Sequence, residues 1–211
     1  DTNLWDATVE GMKSILRCCM SSGTVKRVIY TGSVTSTSPL KEDGTGFKPV
    51  LDESCWTPLN LSFPHCGDSE RAYTYSKTLS EKEALRYEKN RALREGGLEL
   101  EVVSLACGLV GGDTVLRHLP LSMAMMISPV TAKLDFFKEL MILQGMLGSV
   151  PLLHIEDACE AHLFCMEQST MSGREVQCGS TKLTDIGFQY KYDMKMTLDG
   201  SLDCARKLGA L

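Results

Sequence analysis

Leu100-Glu-Val-Val-Ser-Leu-Ala106-Cys-Gly108 decides the fold. Its apolar residues run almost without alternation, as in a parallel strand buried on both faces. Gly108, Gly111 and Gly112 follow at once, where a chain leaving such a strand lets its backbone approach a ligand. Working outward, Val25-Lys-Arg-Val-Ile-Tyr30-Thr31 reads as a second short strand. A helix over Leu4 to Met20 precedes it, with Leu4, Ala7, Thr8, Gly11, Ile15, Cys18 and Cys19 on one face and Gly23 as its stop. Between the two strands, Glu70 to about Leu93 is a helix rich in Ala, Leu, Lys and Glu that closes at Gly96-Gly97. Downstream come a Met-rich helix (Leu119 to Ile127), a strand-like run (Val150 to Ile155), an amphipathic helix (Ile155 to Gln168) and a helix around Leu198 to Leu208. Strand, helix, strand, glycine turn, helix is the order of an α/β protein with parallel pairing.

Composition narrows the function classes. The 211 residues are 43% hydrophobic and 23% charged, with a net charge of −5. That balance carries no basic footprint for nucleic acid and no block of like charge. The apolar runs are too short to insert in a membrane, and the opening residues Asp1-Thr-Asn3 lack a secretory signal. Nine cysteines are present without any Cys-x-x-Cys pair. A zinc ribbon or dithiol site is therefore not indicated, and the expectation is reduced thiols in a cytoplasmic protein.

The chemistry-bearing cluster is Tyr73-Thr-Tyr-Ser-Lys77. A Tyr and a Lys at this spacing share one helix face, one turn apart. An ammonium beside a phenol favours the phenolate, so such a Tyr can exchange a proton near working pH. Tyr75 points elsewhere around the helix, about 200° from Tyr73. Upstream, Tyr30-Thr31-Gly32-Ser33 ends a strand in a hydroxyl-bearing turn. Ligands of open α/β sheets bind beyond such carboxyl ends, and a Ser hydroxyl there can stabilise a developing alkoxide. The stretch from Gly32 to Asp68 is long, irregular and rich in turn residues, and Trp56 and Phe63 within it either cover a planar ligand or anchor the loop. Glu156-Asp157 opens the Ile155 helix. His154 before it could suggest a metal or acid/base pair, but the structural reading is preferred, in which Asp157 complements the exposed N–H groups and the dipole, and His162 reads as a core or rim residue. The methionines of Met123 to Met126 read as packing.

Four quoted stretches together resemble one family. They are Val25-Lys-Arg-Val-Ile-Tyr-Thr-Gly-Ser33, Leu51-Asp-Glu-Ser-Cys-Trp56, Tyr75-Ser-Lys-Thr-Leu-Ser-Glu-Lys82, and His154-Ile-Glu-Asp157 with Ala161-His162. The set is similar to the plant dihydroflavonol reductase/anthocyanidin reductase family of extended short-chain dehydrogenases/reductases. The resemblance covers residues 1 to 174 and resumes from Thr181 to Leu211, and Asp43-Gly-Thr-Gly46 with Gln144 to Val150 leans toward the anthocyanidin reductase branch.

That resemblance implies an NADPH-dependent reductase acting on a small flavonoid-type molecule, on a Rossmann-like parallel sheet flanked by helices, with a small C-terminal substrate-binding lobe. Ser33, Tyr73 and Lys77 are implied as the catalytic triad, Tyr73 as acid/base, Lys77 as the group that lowers its pKa and binds the nicotinamide ribose, and Ser33 as the group orienting the substrate oxygen or the Tyr hydroxyl. Thr31, Tyr73, Lys77, Ala106 and Gly108 are the implied cofactor contacts. Ser38 stands where the dihydroflavonol branch has a substrate-contacting Asn, which favours a different substrate. Where Ala106 stands the family usually has Pro. Residues 1–112 are expected to form the C-terminal half of the Rossmann-like domain. Residues 113–211 are expected to be mainly the substrate lobe, with His154 to Gln168 returning to the sheet. Family members open with a strand, a Gly-x-x-Gly-x-x-Gly turn and a helix, a pattern this sequence does not contain. The expectation is therefore a truncated or spliced chain without the first βαβαβ half, with a second junction near Gly173 to Thr181. The alternative function is an inactive fragment that acts, if at all, by associating with other subunits. No metal site is expected, and the oligomeric state is left open.

Overall fold

The structure, a computed structural model, describes residues 4–61, 65–89, 100–177 and 180–211. Phe63, Gly96-Gly97 and the Leu98 start of the expected strand lie outside the described residues. Among the described residues the main sheet has three parallel strands in the order β1 (Arg27–Ser33), β2 (Glu101–Cys107), β5 (Gly173–Val176). Between β2 and β5 in sequence, β3 (Leu109–Gly111) and β4 (Leu152–His154) form a separate parallel pair. In the main sheet Ser33 lies opposite Cys107 and Thr31 opposite Leu105, so both strands end at the same level.

β2 confirms the reading of a two-faced buried strand, because its residues alternate between two cores. Val102 packs with Leu16, Ala84 and Tyr87, on the side of helices α1 (Leu4–Ser22) and α2 (Asp68–Lys89). Val103, Leu105 and Cys107 pack with Ala158, Ala161 and Cys165 of helix α6 (Ile155–Glu167) on the other side. Helices on both faces of a parallel sheet give the Rossmann-like layering expected from the sequence.

A third apolar cluster lies beyond the strand ends. Val34 and Leu109 meet Met125 and Met126 of α3 (Leu121–Met126) and Ile142, Leu143 and Met146 of α5 (Leu134–Leu147). The short α4 (Ser128–Thr131) links them, and α7 (Lys182–Asp185) and α8 (Met194–Lys207) complete the chain. No disulfide joins any two of the eight described cysteines. Among the described residues no helix is long and apolar enough to cross a membrane.

Two local expectations are corrected. The buried face of α1 is not the stripe through Ala7, Gly11 and Ile15. Leu16 is fully buried, with Met12, Cys19 and Met20 packed around it, whereas Ile15 is 57% exposed. Competing stripes run along this helix, and the one with the larger side chains wins because it removes more apolar area from water. At α6 the cap is His154, whose Nδ1 accepts the Glu156 N–H at 3.2 Å, and its ring stacks on Tyr192. Asp157 instead accepts the backbone N–H groups of Lys191 and Tyr192 at 2.9 and 3.1 Å, tying the C-terminal segment to α6.

Candidate active site

Ser33 ends β1 and caps the 3₁₀ turn Val34–Ser36. Its Oγ accepts two hydrogen bonds, from Thr35 N at 3.2 Å and Thr35 Oγ1 at 2.9 Å. Both lone pairs are then used, and the hydroxyl hydrogen is what Ser33 has left to offer.

Tyr73 and Lys77 come from α2. Good helix formers continue it, and Glu70 starts it by accepting the Gly67 N–H at 2.8 Å, one half of a capping box. The face of α2 turned to the sheet is unusually polar, with Thr74, Thr78, Ser80 and Glu81 all buried. The Lys77 ammonium donates to the Thr31 carbonyl at 3.5 Å and sits 5.7 Å from the Tyr30 ring centroid and 5.9 Å from that of Tyr73. Lys77 is thus held between two phenols, each ring able to stabilise a cation. Tyr73 is half exposed, while burial, together with Glu81 and Tyr73, pushes the Tyr30 phenol up to about 12.

Ser33, Tyr73 and Lys77 line a single cavity of about 510 Å³, together with Thr31 and Gly108. Its volume suits a small organic molecule. The wall opposite α2 is apolar, built from Met125, Ile142, Leu143 and Met146. Glu70 and Glu139 supply carboxylates to the lining, and burial and the neighbouring Glu70 hold the Glu139 carboxyl above the usual carboxylate range.

The other two expected site residues lie off the cavity surface. Ala106 is fully buried in β2, paired to Gly32 and Val176, with its carbonyl accepting the Gln177 N–H. Ser38 is fully buried, and its hydroxyl donates to the Met146 carbonyl while accepting the Leu40 N–H at 3.0 Å. It ties the long loop to α5. Trp56 anchors that loop too, its ring centroid 3.8 Å from the Arg174 guanidinium carbon and 4.9 Å from the Lys82 ammonium, and it does not line the cavity. Two neighbours join the site that the sequence does not mark as functional. Tyr30 reads there as part of a strand, and His162, read as a core or rim residue, bonds Thr31 Oγ1 at 2.9 Å through Nε2 while its Nδ1 meets the Ala158 carbonyl at 2.7 Å. The alternation of β1 puts Tyr30 toward α2 and Thr31 toward α6, which could have flagged Tyr30 as a partner for Lys77.

A parallel sheet with helices on both faces, and a cavity at the carboxyl ends of its strands, defines a doubly wound α/β protein. The chain belongs to the NAD dependent epimerase/dehydratase family, whose model matches residues 1–179. Among curated relatives it is 31% identical over 179 residues to an anthocyanidin reductase of Arabidopsis thaliana, covering 84% of this chain and 50% of that protein. It is 34% identical over 183 residues to a dihydroflavonol 4-reductase of Zea mays, covering 85% and 45%. The chain spans about half the length of these relatives. Among solved structures, vestitone reductase from alfalfa superposes with a TM-score of 0.73 at 25% identity, over 97% of this chain and 72% of that one.

Proposed function

We propose that this cavity is the reaction site of a nicotinamide-dependent reductase acting on a flavonoid-type carbonyl or anthocyanidin, with NADPH as the cofactor. The observation that carries the reading is the convergence of Ser33, Tyr73 and Lys77 on one cavity from two elements. The names of the relatives, two flavonoid reductases and vestitone reductase, supply the substrate class.

The residues present fit the nicotinamide end of the cofactor. Lys77 offers an ammonium with N–H groups to spare for a ribose hydroxyl, Tyr73 a phenol, Thr31 a carbonyl already turned to Lys77, and Gly108 a wall without a side chain. Bound there, the cofactor supplies a hydride. In this reading Tyr73 donates the proton that neutralises the forming alkoxide, and the Lys77 charge lowers the cost of leaving a phenolate behind. Ser33, its lone pairs taken by Thr35, donates its hydrogen to the substrate oxygen and holds it as charge develops. The apolar wall of α3 and α5 covers the planar part of the substrate and excludes water. In this division residues 1–112 serve the cofactor and residues 113–211 mainly the substrate, with His154 to Gln168 returning to the sheet and β5 pairing with β2 within it.

Steady-state turnover of NADPH with a panel of flavonoid substrates tests it. Tyr73→Phe is expected to lower kcat by about a hundredfold or more, the usual worth of general acid catalysis. Equal rates in the two proteins would remove Tyr73 from the reaction.

A further inference from the structure

We propose that Arg174 and Glu81 act as a positioning couple that fixes the Ser33 turn against the Tyr73–Lys77 helix, without touching the substrate. The proposal rests on the reading of those three residues as the reaction site.

Arg174 stands on β5 and Glu81 on α2, and their side chains are 4% and 0% exposed. Nε of Arg174 donates to Glu81 Oε1 at 2.7 Å. One terminal nitrogen donates to the Cys55 carbonyl, and the other to the Ser36 carbonyl at 3.0 Å and to Thr37 Oγ1. Glu81 in turn accepts from Ser104 Oγ of β2 at 2.8 Å and from Ser36 Oγ. One ion pair therefore joins β5, β2, α2, the turn after β1 and the middle of the long loop.

Two of those connections lead straight to the site. Ser36 Oγ, besides meeting Glu81, lies 2.7 Å from the carbonyl of Ser33. Glu81 lies one helical turn beyond Lys77 and two beyond Tyr73, on the same side of α2. The couple thus holds, through one carboxylate, both elements that must keep their spacing for proton transfer. Stability alone gives little reason for a buried ion pair at this place, since apolar residues of similar volume often serve as well or better. A fixed geometry does give one. The fork of Arg can hold several carbonyls at set angles, which the single ammonium of Lys cannot.

Arg174→Lys and Glu81→Gln test the couple, with Glu101→Gln as the control. Glu101 pairs with Arg27 at the opposite end of β1, so its loss removes a partly buried ion pair remote from the cavity. All three are expected to lower the melting temperature. Only the two couple variants are expected to lower kcat, by roughly ten- to a hundredfold, the range a displacement of about 1 Å produces. Their KM for NADPH stays near the parent's, the signature of lost transition-state geometry. Folded couple variants with the parent's kcat would overturn the proposal. Should both fail to fold, Ser36→Ala cuts the link to Ser33 while keeping the ion pair. It is expected to show the same split, and a parental kcat there overturns the proposal equally. If the parent itself shows no turnover, the reaction-site reading fails, and amide chemical shifts decide the positioning claim alone. Shifts at Ser33–Thr35 and Thr74–Lys77 that do not move in Ser36→Ala would contradict it.

Discussion

At the scale of single residues, a hydroxyl or a carboxylate acts here according to which of its lone pairs are already used. Ser33 accepts from Thr35 twice and remains a donor, whereas the Ser38 hydroxyl is both donor to Met146 and acceptor from Leu40. The same bookkeeping singles out Glu175 of β5. It is almost fully buried, its one partner is the Lys182 ammonium at 2.6 Å, and its second oxygen has no hydrogen-bond partner among the described residues. Burial pushes its carboxyl above the usual range, with Lys182 opposing the shift. A folded-state pKa raised above the unfolded value means that the native chain holds the proton longer. Stability is then lost as pH rises from the ordinary glutamate range through the folded pKa. Glu175→Gln cannot ionise, so its melting temperature is expected to gain on the parent's as pH climbs through that window and to match it below. A gap that closes with rising pH would reverse the assignment. None of this was legible in the sequence, where no local pattern singles out the charges of Glu81, Arg174 and Glu175. Their burial follows from which strands and loops meet over them, a long-range fact that no local pattern encodes. Tyr73, Lys77 and Ser33 were legible because a helix turn and a strand end are local.

At the scale of elements, periodicity placed β1, β2, α2 and α6 to within a few residues, and it missed the face of α1. Leu16 is fully buried beside Ala84 and Val102, while Ile15 is mostly in water. Leu16→Ala is expected to cost about 2–5 kcal/mol, as large-to-small changes in cores do. Ile15→Ala is expected to stay within about 0.5 kcal/mol. Chemical denaturation measures both, and comparable losses would restore the face that the sequence suggested. The helix α5 was not anticipated, although it supplies Ile142, Leu143 and Met146 to the cavity wall. Its sequence is apolar on more than one side, so no single stripe announces it. The loop from Thr37 to Gly67 was recognised as irregular, but its anchors, Ser38 on Met146 and Trp56 between Arg174 and Lys82, depend on partners far along the chain.

At the scale of the whole molecule, the α/β order and parallel pairing followed from the run of elements, and the family match over residues 1–179 agrees with them. The separation of β3 and β4 from the main sheet was not foreseen, since Gly108 breaks one apolar run into two strands that belong to different sheets. That break opens the space between the strand ends and the α3–α5 cluster, and the cavity occupies it. The central claim is that this chain, spanning about half the length of its relatives, carries enough of the site to grip a nicotinamide cofactor. Titration of the 211-residue chain with NADPH, followed by nicotinamide fluorescence beside a Lys77→Ala variant, tests that claim most directly. A micromolar dissociation constant, about −8 kcal/mol, is expected, weakening at least tenfold without the Lys77 ammonium. No binding at millimolar NADPH, or equal binding by the two proteins, would contradict it.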